Sequence, residues 1–208
     1  MQSIAIVGIH TGIGKTIVSA IMTEALLADY WKPVQAGNLD ATDTMEVKRL
    51  VSNPTSIFYK EAYLLKEPMS PHAAAEKEGI QIDVEKINLP NANRRTIVET
   101  AGGLMSPITP NKTNLDLVLS LQLPVVLVSK NYLGSINHTM LTYEVLARYD
   151  IEIKGIIFNG PSTPASEEFI LSNTGLIPLL SVKEETSFDK EKVKHYASML
   201  SSTNFAAT

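Results

Sequence analysis

Short runs of apolar, largely β-branched residues recur along this chain, each followed by a longer stretch with helical spacing. That alternation constrains the fold more than any other feature. The clearest runs are SIAIV (3–7), RRTIVE (94–99), PVVLVS (124–129) and IKGIIFN (153–159). They are nearly continuous in apolar character, as strands covered on both faces of a parallel sheet are, rather than alternating as in a half-exposed sheet. YWKPV (30–34) and IPLLSV (177–182) are shorter strand candidates. Between the runs lie helical segments. After Gly14, residues Ile17, Ala20, Ile21, Ala25 and Ala28 share one helical face, and after a Ser135 N-cap, Ile136, Met140, Tyr143 and Ala147 share another. TDTMEVKRLV, SPHAAAEKEG, NLDLVLSLQL, SEEFILSN and DKEKVKHYASML complete the set. Strand and helix repeated in this order predict an α/β fold of three αβα layers with a mainly parallel sheet, whose ligands bind at the carboxyl ends of the strands.

At 208 residues, 44% hydrophobic and 19% charged, the chain suits a single domain, 1–208, with a frayed tail over about 201–208. The net charge of −4 and the scattered lysines and arginines argue against a nucleic-acid partner. With no cysteine there is no disulfide framework, no thiolate nucleophile and no cysteine metal site. The first apolar run is too short for a secretory or membrane-spanning segment, so a cytoplasmic protein without a membrane partner is expected.

Four stretches carry candidate chemistry. GIHTGIGKT (8–16) follows a predicted strand and opens a predicted helix, as a phosphate-binding loop requires, although five residues rather than the usual four separate Gly8 from Gly14. Its glycines, Gly12 and Gly14, let backbone N–H groups converge on phosphate, Lys15 would reach the β- and γ-phosphates, and Thr16 would take one position on Mg²⁺. The fold is therefore P-loop NTPase-like. In WKPVQAGNLDATD, Lys32 stands at the end of a strand candidate and opens onto the same sheet edge. Asp43, eleven residues on, is as well placed to cap a helix as to hold a metal. In VETAGGLMSPI, a buried strand ends in Glu99 and a glycine pair follows; an acid beside a phosphate loop commonly binds Mg²⁺. In LGSINHTMLT, a helix start with Asn137 in its first turn is either a carboxylate site or a plain N-cap. His10, His72 and His138 lack the spacing of a metal set.

Taken in order, GIHTGIGKT, KPVQAG, the aspartate of TDT, SPHAAA, VETAGGLMSPI, LPVVLV, LGSINHTMLT and FNG resemble the dethiobiotin synthetases, over residues 3 to about 182. That family carries the longer loop, G-T-D-T-x-V-G-K-T, so the extra residue belongs to the resemblance. The resemblance implies an ATP-dependent cyclo-ligase of biotin biosynthesis, acting on 7,8-diaminononanoate, CO₂ and Mg-ATP through a carbamate and a carbamic-phosphoric mixed anhydride. It implies catalytic roles for Lys15, Lys32 and Thr11. Nucleotide contacts would come from Gly12, Ile13, Gly14, Lys15, Thr16, Ile17, Asp43, Glu99, Gly102, Asn159, Gly160 and Pro178, with Asn159 reading the adenine edge and the turn 177–179 near the base. Thr16, Asp43 and Glu99 would hold Mg²⁺, while Thr11, Lys32, Ala36 and Gly102 would meet the substrate. Gly134, Ser135, Ile136 and Asn137 would bind the substrate carboxylate across a homodimer interface. Four positions depart from the family pattern: His10 and Gly12 stand where loop acids are common, Ala36 where a hydroxyl residue is common, and Thr100 where a glycine is common. The competing readings are a ParA- or MinD-like switch ATPase, whose signature lysine aligns with His10, and a catalytically silent relative.

Overall fold

The computed structural model describes residues 2–200 and Phe205. The chain runs β1 (Ile4–Gly8), α1 (Lys15–Ala25), β2 (Asp29–Trp31), β3 (Val34–Ala36), α2 (Asp43–Leu50), β4 (Tyr63–Leu65), α3 (Pro71–Glu78) and β5 (Thr96–Gly103). It continues β6 (Pro107–Thr109), β7 (Lys112–Thr113), α4 (Asn114–Leu121), β8 (Val125–Ser129), α5 (Ser135–Arg148), β9 (Ile153–Asn159), α6 (Pro164–Thr174), β10 (Pro178–Val182) and α7 (Lys190–Met199). Six strands form one sheet in the order β10-β9-β8-β1-β5-β2, every neighbouring pair parallel. Helices cover both faces, α1 packing with α2 and α7 and α5 with α6, which makes the predicted three-layer αβα arrangement. All five residues of β1 and of β8 are buried, as their unbroken apolar runs require. Because β1 lies between β5 and β8, the chain leaves it in both directions across the sheet. The crevice at its carboxyl end is a topological switch point, where ligands bind in open α/β sheets.

Several local expectations are corrected. YWKPV is not one strand: β2 stops at Trp31, and Val34–Ala36 pairs with β4 in a separate two-stranded sheet. Pro33 has no N–H to continue the ladder, so the chain changes sheets there. Nor does β5 end at Glu99; it runs to Gly103, pairing with Gly8 past a bulge. The cap of α5 is Gly134, at φ 99°, and Ser135 is the first helical residue. The face of α5 turned inward is Ser135, Thr139, Thr142 and Leu146 rather than Ile136, Met140, Tyr143 and Ala147. Polar contacts decide this, since Thr139 bonds both Ser129 Oγ (2.9 Å) and the Ser135 carbonyl (2.8 Å). Helix α1 is buried from Val18 to Thr23, more than one face, because α7 and α2 cover the sides that the sheet leaves open. Of the tail expected to fray, only Phe205 is among the described residues; it is buried, and its carbonyl accepts from Arg95 (2.6 Å).

Candidate active site

The loop after β1 is shaped by glycines at positive φ. Gly12 (φ 73°) faces open space, whereas Gly14 (φ 89°) could carry no side chain at all: a Cβ would lie 2.1 Å from Asn159 Nδ2. Gly14 is also the N-cap of α1, and no side chain caps that helix, so its first-turn N–H groups and dipole are left for an anion. Asn159, at the carboxyl end of β9, donates from Nδ2 to the Ile13 carbonyl (2.8 Å) and so ties the loop to the sheet. Lys15 folds back beneath the loop, its Nζ donating to the His10 carbonyl (3.1 Å). Burial pulls its pKa down to about 8, and the charge of Lys32 pulls the same way, while Glu99 and Asp43 oppose them.

Beside this loop residues of four elements form one cluster around two carboxylates, Glu99 and Asp43. Tyr30 of β2 pairs with Ile97 of β5. Glu99 lies two residues beyond Ile97 and shares its face of the sheet, and Lys32 likewise follows Tyr30 by two. Thr16 arrives from the first turn of α1 and Asp43 from the first residue of α2, on helices packed together over that face. Glu99 is 1% exposed. Its Oε1 accepts from Thr16 Oγ1 (3.0 Å) and Lys32 Nζ (3.2 Å), and its Oε2 from the Tyr30 hydroxyl (2.9 Å). Asp43 accepts from Thr16 Oγ1 through Oδ1 (3.1 Å) and makes a close ion pair with Lys32 through Oδ2. Asp43 is therefore not the helix cap; Thr42 is, accepting from the Met45 N–H. Burial works against the charge on Lys32, but Glu99 and Asp43 outweigh it and hold its pKa above the ordinary lysine value. The Tyr30 phenol is pushed well above its usual pKa by burial and then by Glu99, so it stays a donor.

The cluster opens onto a cavity of about 460 Å³ lined by Thr11, Lys32, Ala36, Asp43, Ser70 and Gly102, among others. Gly102 (φ 83°) brings backbone to this wall; a Cβ there would meet Ser106 Oγ at 2.7 Å and Thr11 Oγ1 at 3.4 Å. Buried Asn114 holds the glycine segment from behind, Nδ2 donating to the carbonyls of Ala101 (2.7 Å) and Gly103 (2.8 Å). Gln35 supports the opposite wall, Nε2 donating to the Gly37 carbonyl (3.0 Å) and Oε1 accepting from the Asp43 N–H (3.4 Å).

The structure thus brings together Thr11, Gly12, Ile13, Gly14, Lys15, Thr16, Lys32, Ala36, Asp43, Glu99 and Gly102, with Asn159 behind the loop. Gly160 follows on the same edge, its N–H bonded to the Val182 carbonyl (2.8 Å), and Ile17 continues α1. Gly134, Ser135, Ile136 and Asn137 do not line the cavity of their own chain. Pro178 is a correction. It opens β10, level with Ile156, and Val182 is the residue level with Asn159. At about 3.3 Å per residue, Pro178 and the turn around it lie roughly 13 Å from that level, toward the amino edge of the sheet. The carboxyl end of β10 at Val182, not its start at Pro178, lies at the edge of the sheet that holds the site. Tyr30, Gln35 and Asn114 were missed; the only sequence signal was a polar group inside or beside an apolar run.

Thr100 turns away from the cluster and donates to the Ile6 carbonyl (3.0 Å), so it stitches β5 to β1. His10 points outward. Its Nδ1 bonds the Thr11 carbonyl (2.8 Å), which makes that nitrogen the donor, and its ring stacks on His138 at 6.2 Å beside Tyr132, whose hydroxyl meets His138 Nδ1 (2.7 Å).

Residues 2–192 match the family described as AAA domain. The ATP-dependent dethiobiotin synthetase BioD of Cytophaga hutchinsonii is 48% identical over 198 residues, covering 95% of this chain and 96% of that protein. That of Christiangramia forsetii is 47% identical over 197 residues, covering 94% of each. The chain belongs to the ATP-dependent dethiobiotin synthetase family. A dethiobiotin synthetase from Chlamydia pneumoniae is more distant at 41%, over 95% of this chain and 88% of its own. Among solved structures, the cell division ATPase MinD of Pyrococcus furiosus is similar at a TM-score of 0.57 and 14% identity, covering 96% of this chain and 98% of its own. The ParA family ATPase of Chlorobium tepidum is similar at 0.52 and 12%, covering 96% and 92%. These two likenesses show the fold alone, that of the P-loop NTPases. The dethiobiotin synthetase relatives, 41–48% identical over 94–95% of this chain, are what distinguish its family from that of the MinD and ParA ATPases. No helix among the described residues is long and apolar enough to cross a membrane.

Proposed function

We infer that the chain forms the ureido ring of dethiobiotin from 7,8-diaminononanoate, CO₂ and ATP, in the cytoplasm. The observation that carries this reading is that Lys32 and Thr16 each bridge Asp43 and buried Glu99, next to Lys15 and at the wall of one cavity. One substrate amine takes up CO₂ and loses a proton to give a carbamate. A carbamate oxygen then attacks the γ-phosphorus and ADP leaves. The second amine attacks the carbonyl carbon of the mixed anhydride, phosphate leaves, and the ring closes. Each step needs placement and charge neutralisation more than a proton carrier. Lys15 meets charge growing on the β- and γ-oxygens from the loop side, and Lys32 meets the carbamate and γ-phosphoryl oxygens from the cavity side. Thr11 and the Gly102 backbone border the space in which the reacting amines sit.

The donor set suits Mg²⁺. Thr16 Oγ1 lies 3.0 Å from Glu99 Oε1 and 3.1 Å from Asp43 Oδ1, close to the edge of an octahedron of oxygens about 2.0–2.1 Å from its centre, roughly 2.9 Å. When bound with ATP, the ion would neutralise phosphate charge at Thr16, Asp43 and Glu99. Asn159, whose Oδ1 accepts no donor among the described residues, retains an acceptor for an adenine amino group. The working unit is a homodimer. Leu133, Leu141 and Met105 are exposed around the start of α5 and the end of β5, an apolar surface suited to a second copy. In that arrangement Gly134, Ser135, Ile136 and Asn137 of one subunit complete the other's cavity at the substrate carboxylate.

The test is incubation of the purified protein with diaminononanoate, Mg-ATP and ¹⁴C-bicarbonate. Diamine-dependent phosphate release with label entering a cyclic urea is expected; ATP hydrolysis indifferent to the diamine would overturn the reading.

A further inference from the structure

The two oxygens of Glu99 are held differently. Oε1 faces the cluster, shared by Thr16 and Lys32, while Oε2 points back into the core and accepts only the Tyr30 hydroxyl (2.9 Å). Tyr30 is 0% exposed and lines none of the described cavities, so it touches neither substrate nor nucleotide. Its hydroxyl makes no other hydrogen bond among the described residues. Its position is set by β2–β5 pairing, Tyr30 against Ile97 and Trp31 against Val98, which leaves the phenol on the same sheet face as Glu99 and within its reach.

That arrangement has a consequence for the metal. Mg²⁺ demands six oxygens in near-ideal octahedral order, whereas Ca²⁺ accepts six to eight at longer distances and readily takes both oxygens of one carboxylate. We propose that Tyr30 is a positioning residue that makes Glu99 a one-oxygen ligand and thereby selects Mg²⁺ over Ca²⁺ at the Thr16–Asp43–Glu99 site. The proposal rests on the reading of that trio as the metal site. For Glu99 to bind through both oxygens, its carboxylate would have to turn Oε2 out of the core toward the cluster, straining or breaking the bond from a buried hydroxyl that has no other partner among the described residues. The larger ion is therefore penalised by a group that never touches it.

Calorimetric titration of the whole protein with Mg²⁺ and with Ca²⁺, in the presence of a non-hydrolysable ATP analogue, tests this. Tyr30→Phe keeps the ring and removes the hydroxyl, and thermal unfolding checks that it folds. The expected result is a rise in the Ca²⁺:Mg²⁺ affinity ratio of about 10–150-fold, the scale of losing one hydrogen bond to a charged group. Tyr30→Leu, which also lacks the hydroxyl, should move the ratio in the same direction. In a Glu99→Gln background, Tyr30→Phe should leave the ratio where Glu99→Gln alone puts it. An unchanged ratio in Tyr30→Phe, with wild-type protein binding Mg²⁺ through a Glu99-dependent site, overturns the role of Tyr30 and leaves the metal site standing. Mg²⁺ affinity indifferent to Glu99→Gln overturns the metal reading and the proposal with it.

Discussion

Lys15 and Lys32 sit at one edge of one sheet, each 6% exposed, yet their environments drive them in opposite directions. Lys15 is bound by a backbone carbonyl, and burial brings its pKa to about 8. Lys32 is bound by two carboxylates, and its pKa is held above the ordinary value despite burial. Burial is equal, so the neighbours decide. Lys15 forms no ion pair with a carboxylate among the described residues, whereas Lys32 is neutralised by Asp43 and Glu99. The cation on the loop side is uncompensated by a bonded acid, while the one on the cavity side is locked in an ion-pair cluster.

Removing either lysine should be severe for turnover. Lys32→Met and Lys15→Met should each lower kcat by about 10²–10³, the usual scale for one preorganised group that stabilises charge in the transition state. Steady-state assays of diamine-dependent phosphate release measure this, and a kcat within threefold of wild type in Lys32→Met would remove it from the reacting centre.

Stability should separate the two more sharply. Lys32→Met leaves Glu99 buried beside Asp43 without its cation, which costs about 3–5 kcal/mol. Lys15→Met gives up one hydrogen bond to a carbonyl and relieves a buried charge, so its effect should stay within about 1 kcal/mol. Chemical denaturation of the unliganded variants compares them; equal losses would mean that the ion pairs of Lys32 carry no special weight.

The smallest effect is on pH dependence, and it carries the clearest sign. Lys15 has a folded pKa of about 8, below the value of roughly 10.4 in an unfolded chain, so between those limits the unfolded state holds more protons. Its contribution to stability therefore rises with pH across that window. Lys32 is shifted up, so its contribution is present below about 10.4 and is lost as pH climbs through its higher folded value. The stability difference between wild type and Lys15→Met should accordingly move in favour of wild type from pH 8 to 10. Because phosphate prefers charged Lys15, the KM for ATP should also climb above pH 8, and Lys15→Arg, charged throughout, should abolish that climb. A flat profile in the wild type would place the Lys15 titration elsewhere.

Legibility followed sequence distance. Gly12, Gly14, Lys15 and Thr16 were readable because a strand, a turn and a helix start are contiguous, and local backbone geometry dictates what each can do. Strands buried on both faces were readable for the same reason, down to β9 at Ile153–Asn159. The inward face of α5 was not, because two hydroxyl residues satisfied each other beneath it. Nor was the end of β10 that faces the site, since IPLLSV reads alike in either orientation to a sheet edge.

By itself the sequence determined the layered αβα frame, the phosphate loop and the family, because these rest on residues close together or on a pattern spread along the whole chain. Only the tertiary structure decided that Lys32 meets Glu99 across 67 positions, that Tyr30 occupies the other oxygen of that carboxylate, and that Thr100 serves β1 instead. Those contacts arise from which strands become neighbours and which face each residue takes in the register. Pairing between distant strands is a property of the closed sheet, and no single segment contains it.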